Sequence, residues 1–154
     1  MNVGNHQPPQ AFASQRGKIS MECVAHAEPD HHRRQGLVLV VEDEVIIRTN
    51  VSEDLRAAGL EVMEAATGDE AIALVESGLP IDLVLTDVRM PGSLDGLELA
   101  RVVRRKRPMS KIVVVSGNLA ARPTPDLADA FLTKPYSLLT VVEVVRGLLA
   151  EPRP

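Results

Sequence analysis

Short aliphatic segments that alternate with helical patterns constrain the fold of this 154-residue chain more than any other feature. Each segment consists mainly of Val, Leu, Ile or Ala, which is typical of strands buried on both faces of a parallel sheet. Parallel strands need crossover connections, which are right-handed as a rule. We therefore predict an α/β fold with a doubly wound, five-stranded parallel sheet. The predicted strands cover residues 37–41, 60–65, 81–87, 111–115 and 130–133.

The segments between the predicted strands carry apolar residues at helical spacing. In the first helix Ile47, Val51, Leu55 and Ala58 share one stripe, and Gly59 ends the helix. The predicted caps of the later helices are Thr67 with Glu70 as a capping box, then Asp95, then Ser137. The buried stripes of those helices are Ala71, Leu74 and Val75; Leu99, Val102 and Val103; and Leu138, Val141, Val142, Val145 and Leu149.

Composition divides the chain into one domain and two tails. Residues 1–36 are rich in His, Gln, Pro, Gly and Ser and have no apolar period, so burial cannot offset their ordering entropy. We predict that this N-terminal tail is disordered. Residues 37–150 form the predicted domain, and residues 151–154 form a C-terminal tail.

Charge and residue content argue against several classes of function. A net charge of −4 and an aromatic content of 2% provide neither a basic footprint nor stacking platforms for nucleic acid. Arg101, Arg104, Arg105 and Lys106 are interpreted as a solvated helix face with cations in the last turn. Cys23 is the single cysteine, and no apolar run approaches the roughly 18 residues of a membrane span. We expect a cytoplasmic protein without direct nucleic-acid contact or membrane insertion.

The candidate site consists of polar residues at the carboxyl ends of the predicted strands. Glu42 and Asp43 follow the first strand, Asp87 ends the third, Ser116 follows the fourth and Lys134 follows the fifth. In a parallel sheet these ends share one edge, where open α/β sheets bind their ligands. Each residue alone has a structural explanation, such as a helix cap or a local turn. Their joint occurrence at successive strand ends favours a functional site.

These residue types indicate magnesium and phosphoryl transfer. Three clustered carboxylates repel one another unless a cation lies between them. Oxygen ligands without His or Cys select a hard ion such as Mg²⁺. The ion and Lys134 would neutralise the oxygens of an incoming phosphoryl group while the Asp87 carboxylate attacks phosphorus. Asp87, Ser116 and Lys134 are therefore the predicted catalytic residues.

The site residues lie in five short motifs: VVEDE (40–44), LVLTDVRMPG (83–92), DG (95–96), VVVSG (113–117) and FLTKP (131–135). With these motifs the sequence resembles the receiver domains of bacterial two-component response regulators, over residues 37–150. The resemblance implies a flavodoxin-like sheet with strand order 2-1-3-4-5. It also implies that the protein is not an enzyme in the ordinary sense, because it catalyses only its own phosphorylation and dephosphorylation.

The resemblance also implies a role for each residue of the site. Asp87 would accept a phosphoryl group from a phosphohistidine of a sensor kinase or phosphotransfer protein. Asp43, Asp87 and the backbone carbonyl of Arg89 would bind Mg²⁺ directly, and Glu42 would bind it largely through water. Lys134 would hold the phosphoryl oxygens.

Two further residues would form a switch in such a domain. Ser116 would swing to bond the phosphoryl group, and Phe131 would turn into the space that Ser116 leaves. This movement would alter binding of an unidentified downstream protein. The Lys134–Pro135 peptide bond is expected to be cis, as in the family.

Three departures from the family pattern are visible. Glu42 replaces the commoner Asp, and residues 92–94 make the loop after Pro91 one residue longer. The segment between Ser116 and Phe131 is short and contains two prolines, which limits any helix there to a stunted one. Arg89 lies where the family tunes the lifetime of the aspartyl phosphate.

Several functions share this chemistry. Only five residues follow Leu149, so we expect no fused output domain. A receiver of this kind is a switch for a partner protein, a phosphate sink or a relay intermediate. A phosphatase of the haloacid-dehalogenase type also uses an Asp nucleophile with Mg²⁺, but it needs an acid where Arg89 stands. A topoisomerase-primase-type site fails at the same position, and a degenerate docking module would not need all five site positions filled with competent residues.

Overall fold

A parallel sheet of five strands with order 2-1-3-4-5 forms the centre of the molecule. The computed structural model describes residues 36–152. The predicted fold class and strand order are confirmed by the register of each strand pair. The strands are β1 (Leu37–Val41), β2 (Glu61–Ala65), β3 (Leu83–Asp87), β4 (Lys111–Ser116) and β5 (Ala130–Thr133).

Helices cover both faces of the sheet. Successive side chains of β1, β3 and β4 point to opposite faces of the sheet. Leu39 and Val84 therefore face one pair of helices, and Val40 and Leu85 face the other pair. One face packs against α2 and α3, and the opposite face packs against α1 and α4. The helices are α1 (Val45–Ala57), α2 (Gly68–Glu76), α3 (Gly96–Lys106) and α4 (Leu138–Ala150).

Two strands begin later than the apolar runs predict. The amide of Leu60 donates to the Leu55 carbonyl, so Leu60 closes α1 and β2 begins one residue later. The amide of Ile81 donates to the Leu79 carbonyl in a local turn, and β3 begins only at Leu83. In both cases the apolar run starts before the strand does, because the side chains of Leu60 and Ile81 also pack in the core.

The helix caps follow the sequence closely, with one difference at α2. Asp95 and Glu98 form a reciprocal capping box at α3. At α2 the Thr67 hydroxyl accepts from the Glu70 amide, but the Glu70 carboxylate accepts from the Ala66 amide. The reciprocal bond of the predicted box is therefore shifted by one residue, and both amides are still satisfied.

Arg104 is bonded to other parts of the chain and only partly exposed, which corrects the interpretation of all four residues as a solvated face of α3. Its side chain is 27% exposed and forms an ion pair of 2.8 Å with Asp129. The same guanidinium donates to the carbonyls of Pro108, Ser110 and Leu127. Arg104 therefore fixes the segment before β5, whereas Arg101 and Arg105 are exposed as predicted.

The segment between β4 and β5 contains one short 3-10 turn, Leu119–Ala121, where a stunted helix was predicted. The Lys134–Pro135 bond is cis, which confirms that prediction. The predicted disordered tail lies almost wholly outside the described residues. No helix among residues 36–152 has the length and apolar character needed to cross a bilayer.

Candidate functional site

The carboxylates of Glu42, Asp43 and Asp87 converge at the carboxyl edge of the sheet. Val41 pairs with Thr86 in the register of β1 and β3, so the residues after β1 lie beside the end of β3. Each carboxylate contributes an oxygen, and these oxygens all lie within 4.8 Å of one another. The register of two adjacent strands thus places three acidic groups in one small volume.

Lys134 closes the opposite side of this cluster. Its Nζ lies 3.0 Å from Glu42 Oε2 and 3.3 Å from Asp87 Oδ2. The backbone amide of Lys134 donates to the Ser116 carbonyl, which fixes the chain after β5 against the end of β4. Residues separated by more than ninety positions therefore meet at one point.

The electrostatics of the cluster show that its negative charge is only partly balanced. Burial raises the pKa of the Glu42 carboxyl, and bonds from Lys134 and from the Glu44 amide oppose that shift only in part. Burial opposes the charged form of Lys134, but the bond to Glu42 and the charge of Asp87 outweigh it and raise the pKa of the ammonium. The ammonium of Lys134 thus pairs with two of the three clustered carboxyl groups, Glu42 and Asp87.

Ser116 and Phe131 lie on the β4–β5 side of the site. Ser116 is 1% exposed and stands one residue beyond Val115, the partner of Asp87 in the sheet. Its hydroxyl accepts a bond of 3.1 Å from the Asn118 amide. Phe131 is half-buried, and the guanidinium carbon of Arg122 lies 5.8 Å from the centre of its ring.

Gly96 leaves no space for a side chain behind Asp87. A Cβ at Gly96 would overlap the carbonyl oxygen of Asp87 and lie 3.0 Å from the hydroxyl of Thr86. The amide of Gly96 donates to the Val88 carbonyl, and the Thr86 hydroxyl donates to the Asp87 carbonyl. The backbone that carries Asp87 is therefore clamped by the start of α3.

Arg48 is a site-related residue that the sequence did not single out. Its guanidinium donates to the Glu42 carbonyl at 2.7 Å and to the Asp43 carbonyl at 3.5 Å. It also lies 3.4 Å from the carboxylate of Glu64 on β2. In the sequence Arg48 looks like any arginine on the solvated side of an amphipathic helix. No local pattern therefore predicts that it contacts the site.

Arg89 and the loop after β3 lie at the edge of the site. Arg89 is exposed, two residues beyond Asp87, and its use as a backbone metal ligand stays a prediction. Gly92 has a φ of 121°, and the Ser93 hydroxyl donates to Asp69 at 2.7 Å. The longer loop is thus held against the start of α2.

The donor set fits a hard divalent cation. The Glu42 residue is 5% exposed, and its charge is balanced within the described chain only by Lys134, which Asp87 shares. Three carboxylates within 4.8 Å provide oxygen ligands only. A magnesium ion bound by a few carboxylates with water completing its shell suits such a set.

An apolar depression borders the site on the side of α1 and α4. It has a volume of about 480 Å³, and Lys134 is one of the residues that line it. Ile46 and Leu139, on the same two helices, are largely exposed. Besides Lys134, the lining residues are Ile47, Asn50, Pro135, Tyr136 and Leu138.

Comparison with known proteins connects this geometry to one family. A family model described as the response regulator receiver domain matches residues 38–146. The sensor kinase CckA of Brucella abortus is 39% identical over 117 residues, which cover 73% of this chain and 12% of that kinase. The transcriptional regulatory protein PdtaR of Mycobacterium tuberculosis is 38% identical over 113 residues, which cover 70% of this chain and 54% of that regulator.

Solved structures share the fold as well as the sequence. The response regulator protein TrrA of Thermotoga maritima, crystallised with Mg²⁺ and BeF, superposes with a TM-score of 0.67 at 34% identity. The match covers 73% of this chain and 98% of that one. The chain spans about half or less of the curated relatives named above, so the match concerns one domain of those proteins.

Proposed function

Because the chain belongs to the response regulator receiver domains, we propose that Asp87 accepts a phosphoryl group from a phosphohistidine. The donor is a sensor histidine kinase or a phosphotransfer protein. One observation carries the proposal: the ammonium of Lys134 and three carboxylates meet at the tip of β3. A carboxylate of this kind, held beside a cation site and an ammonium, is equipped for nucleophilic attack on phosphorus.

Each side chain has a distinct part in the transfer. The Asp87 carboxylate forms the new oxygen–phosphorus bond while the phosphorus–nitrogen bond of the donor breaks and the imidazole leaves. Lys134 pairs with an oxygen of the transferred group and thereby stabilises the developing negative charge. Glu42, Asp43, Asp87 and the carbonyl of Arg89 would hold Mg²⁺, which supplies further charge neutralisation when bound.

The response to phosphorylation is assigned to the β4–β5 side. Ser116 is buried beside the end of β3, and its hydroxyl accepts a bond from the Asn118 amide. The proton of this hydroxyl can be donated to a phosphoryl oxygen on Asp87. Phe131, half-buried on the next strand, then moves into the space that Ser116 leaves. This rearrangement changes the surface offered to a downstream protein.

The surroundings of the site favour a protein as the donor. The depression beside Lys134 is lined mainly by carbon atoms of Ile47, Pro135, Tyr136 and Leu138. A protein surface can cover such an apolar area while its phosphohistidine reaches Asp87. A switch, a phosphate sink and a relay intermediate share this first step and differ in the later fate of the phosphoryl group.

Phosphorylation with a small phosphodonor tests the proposal. The full chain, incubated with Mg²⁺ and acetyl phosphate, is expected to gain one phosphoryl group in a bond that survives acid and is cleaved by base. Asp87→Asn should abolish the adduct, whereas Asp126→Asn, an exposed carboxylate in the β4–β5 segment, should retain it. Intact-mass spectrometry distinguishes the two variants, and an adduct of equal yield in Asp87→Asn would contradict the proposal.

The same reaction separates the proposed class from a phosphatase. A self-modifying receiver forms at most one adduct per chain and then loses it slowly. A phosphatase would release phosphate from the donor many times per chain without accumulating the adduct. Measuring phosphate release together with the adduct therefore tests whether the chain catalyses only its own modification.

A further inference from the structure

The loop between β1 and α1 is held from behind by one arginine. Arg48 lies on α1, one turn after the acidic residues, and its side chain is 15% exposed. It reaches back to the carbonyls of Glu42 and Asp43, at 2.7 and 3.5 Å. These two residues carry two of the three converging carboxylates. The guanidinium therefore contacts the backbone of the loop whose side chains form the cation site.

The loop has few other anchors on its helical side. The residue before α1, Glu44, makes no side-chain hydrogen bond to cap the helix. The amide of Glu42 donates to the Ala65 carbonyl, which ties the first residue of the loop to β2. Among the described contacts, the side chain that donates to the carbonyls of Glu42 and Asp43 is that of Arg48. Both bonds come from Nη1, while Nε of the same guanidinium faces the Glu64 carboxylate. A planar guanidinium can hold these partners at the same time in a fixed geometry, which a flexible ammonium cannot.

The position of Arg48 is itself fixed by a neighbouring ion pair. Glu64 on β2 lies between two arginines, with Arg48 at 3.4 Å and Arg56 at 2.9 Å. Arg56 also donates to the Val62 carbonyl and touches no residue of the acidic loop among the described contacts. The two arginines thus share a carboxylate partner, but only Arg48 extends to the site.

We propose that Arg48 is a positioning residue for the divalent-cation site: it orients the Glu42–Asp43 backbone so that both carboxylates converge on Asp87. The inference rests on the proposed function, because it concerns how that function's cation is held. Partners of metal ligands orient them in this way, and their removal commonly weakens metal binding by about 10- to 100-fold.

Charge and position predict opposite effects when Arg48 is replaced. Arg48 is a cation close to the cation site, so its charge alone repels Mg²⁺, and its removal would tighten binding. If Arg48 positions the loop, its removal weakens binding in spite of the lost repulsion. The direction of the change in Mg²⁺ affinity therefore separates the two effects.

Isothermal titration of the full-length chain with MgCl₂ measures this direction. Arg48→Met should bind Mg²⁺ roughly tenfold more weakly than wild type. The matched control Arg56→Met also removes one positive charge and one ion pair with Glu64. Because Arg56 does not contact the acidic loop, this variant should bind Mg²⁺ within about twofold of wild type. Arg48→Lys keeps the repelling charge but loses the planar guanidinium, so it should bind Mg²⁺ at least as weakly as Arg48→Met.

Amide resonances provide a readout that does not depend on the metal. In metal-free protein, Arg48→Met should shift and broaden the signals of residues 42–45, whereas Arg56→Met should leave them in place. If Arg48→Met does not fold, Arg48→Lys carries the test through the same two measurements. Wild-type-like or tighter Mg²⁺ binding by the Arg48 variants would overturn the inference alone. Absence of both Mg²⁺ binding and an adduct in the wild type would instead overturn the proposed function and the inference with it.

Discussion

The two halves of the carboxyl edge differ in how firmly the structure holds them. At the tips of β1 and β3, the acidic residues are held by neighbouring groups, with Gly96 behind Asp87 and Arg48 behind the acidic loop. Lys134 reaches them from the end of β5. At the tips of β4 and β5, residues 117–120 are exposed and Phe131 is only half-buried. Buried residues fill most of β3, whereas none of the residues of β5 is fully buried.

This difference matches the two tasks of the proposed function. Phosphoryl transfer needs reacting groups held in place before the reaction, so a tightly packed backbone serves the β1–β3 half. A conformational response needs a region whose alternative conformations lie close in free energy. Residues 117–120 and β5, which lack fully buried residues, meet that need, although β4 itself is buried. Substitutions in the two halves should therefore differ sharply in their cost.

Gly96→Ala should have the largest effect. The added methyl group would overlap the Asp87 carbonyl, which belongs to the backbone and cannot rotate away. We expect a loss of about 2–3 kcal/mol in the free energy of unfolding, measured by urea denaturation. Gly147→Ala, in the exposed middle of α4 with no atom within 4 Å, should instead stabilise the protein by about 0.5–1 kcal/mol. An equal effect of both substitutions would remove the argument for a clamped Asp87.

Lys134→Met should have an intermediate effect that depends on pH. Without the ammonium, the buried Glu42 carboxylate loses its ion pair, and we expect a loss of about 1–2 kcal/mol at pH 7 without Mg²⁺. The pKa of Lys134 is raised, so its contribution is fully present below 10.5 and is lost as pH rises through the raised pKa.

The raised pKa of Glu42 determines how this loss changes in acid. The cost of ionised Glu42 is present above its raised pKa and is relieved as pH falls towards the ordinary value of 4.5. Urea denaturation at pH 7 and pH 5 should therefore show a smaller gap between variant and wild type at pH 5. Lys106→Met removes an exposed ion pair with Glu76, and its cost should stay near zero at both values. A gap that widens in acid would contradict this account.

Arg122→Ala should have the smallest effect on stability. It removes the contact between the guanidinium and the Phe131 ring on the exposed side of β5. We expect a loss of about 0.5 kcal/mol in the free energy of unfolding, with Asp87 phosphorylation unchanged in yield. A loss as large as that of Gly96→Ala would show that the two halves are equally constrained.

The sequence by itself determined the elements and the members of the site. Strand and helix ends were placed within one or two residues, because apolar period and capping residues act locally. The residues at the strand tips were named from their order alone, because a parallel sheet brings all carboxyl ends to one edge. The structure places Glu42, Asp43, Asp87 and Lys134 together there.

Tertiary structure alone decided which residues support that site. Arg48 and Arg104 share one local pattern, a basic residue on an amphipathic helix. Yet Arg48 bonds the acidic loop, and Arg104 bonds the segment before β5. Gly96 is required by a carbonyl on another element. Such contacts depend on distances across the packed chain, and neither period nor spacing along the sequence encodes those distances.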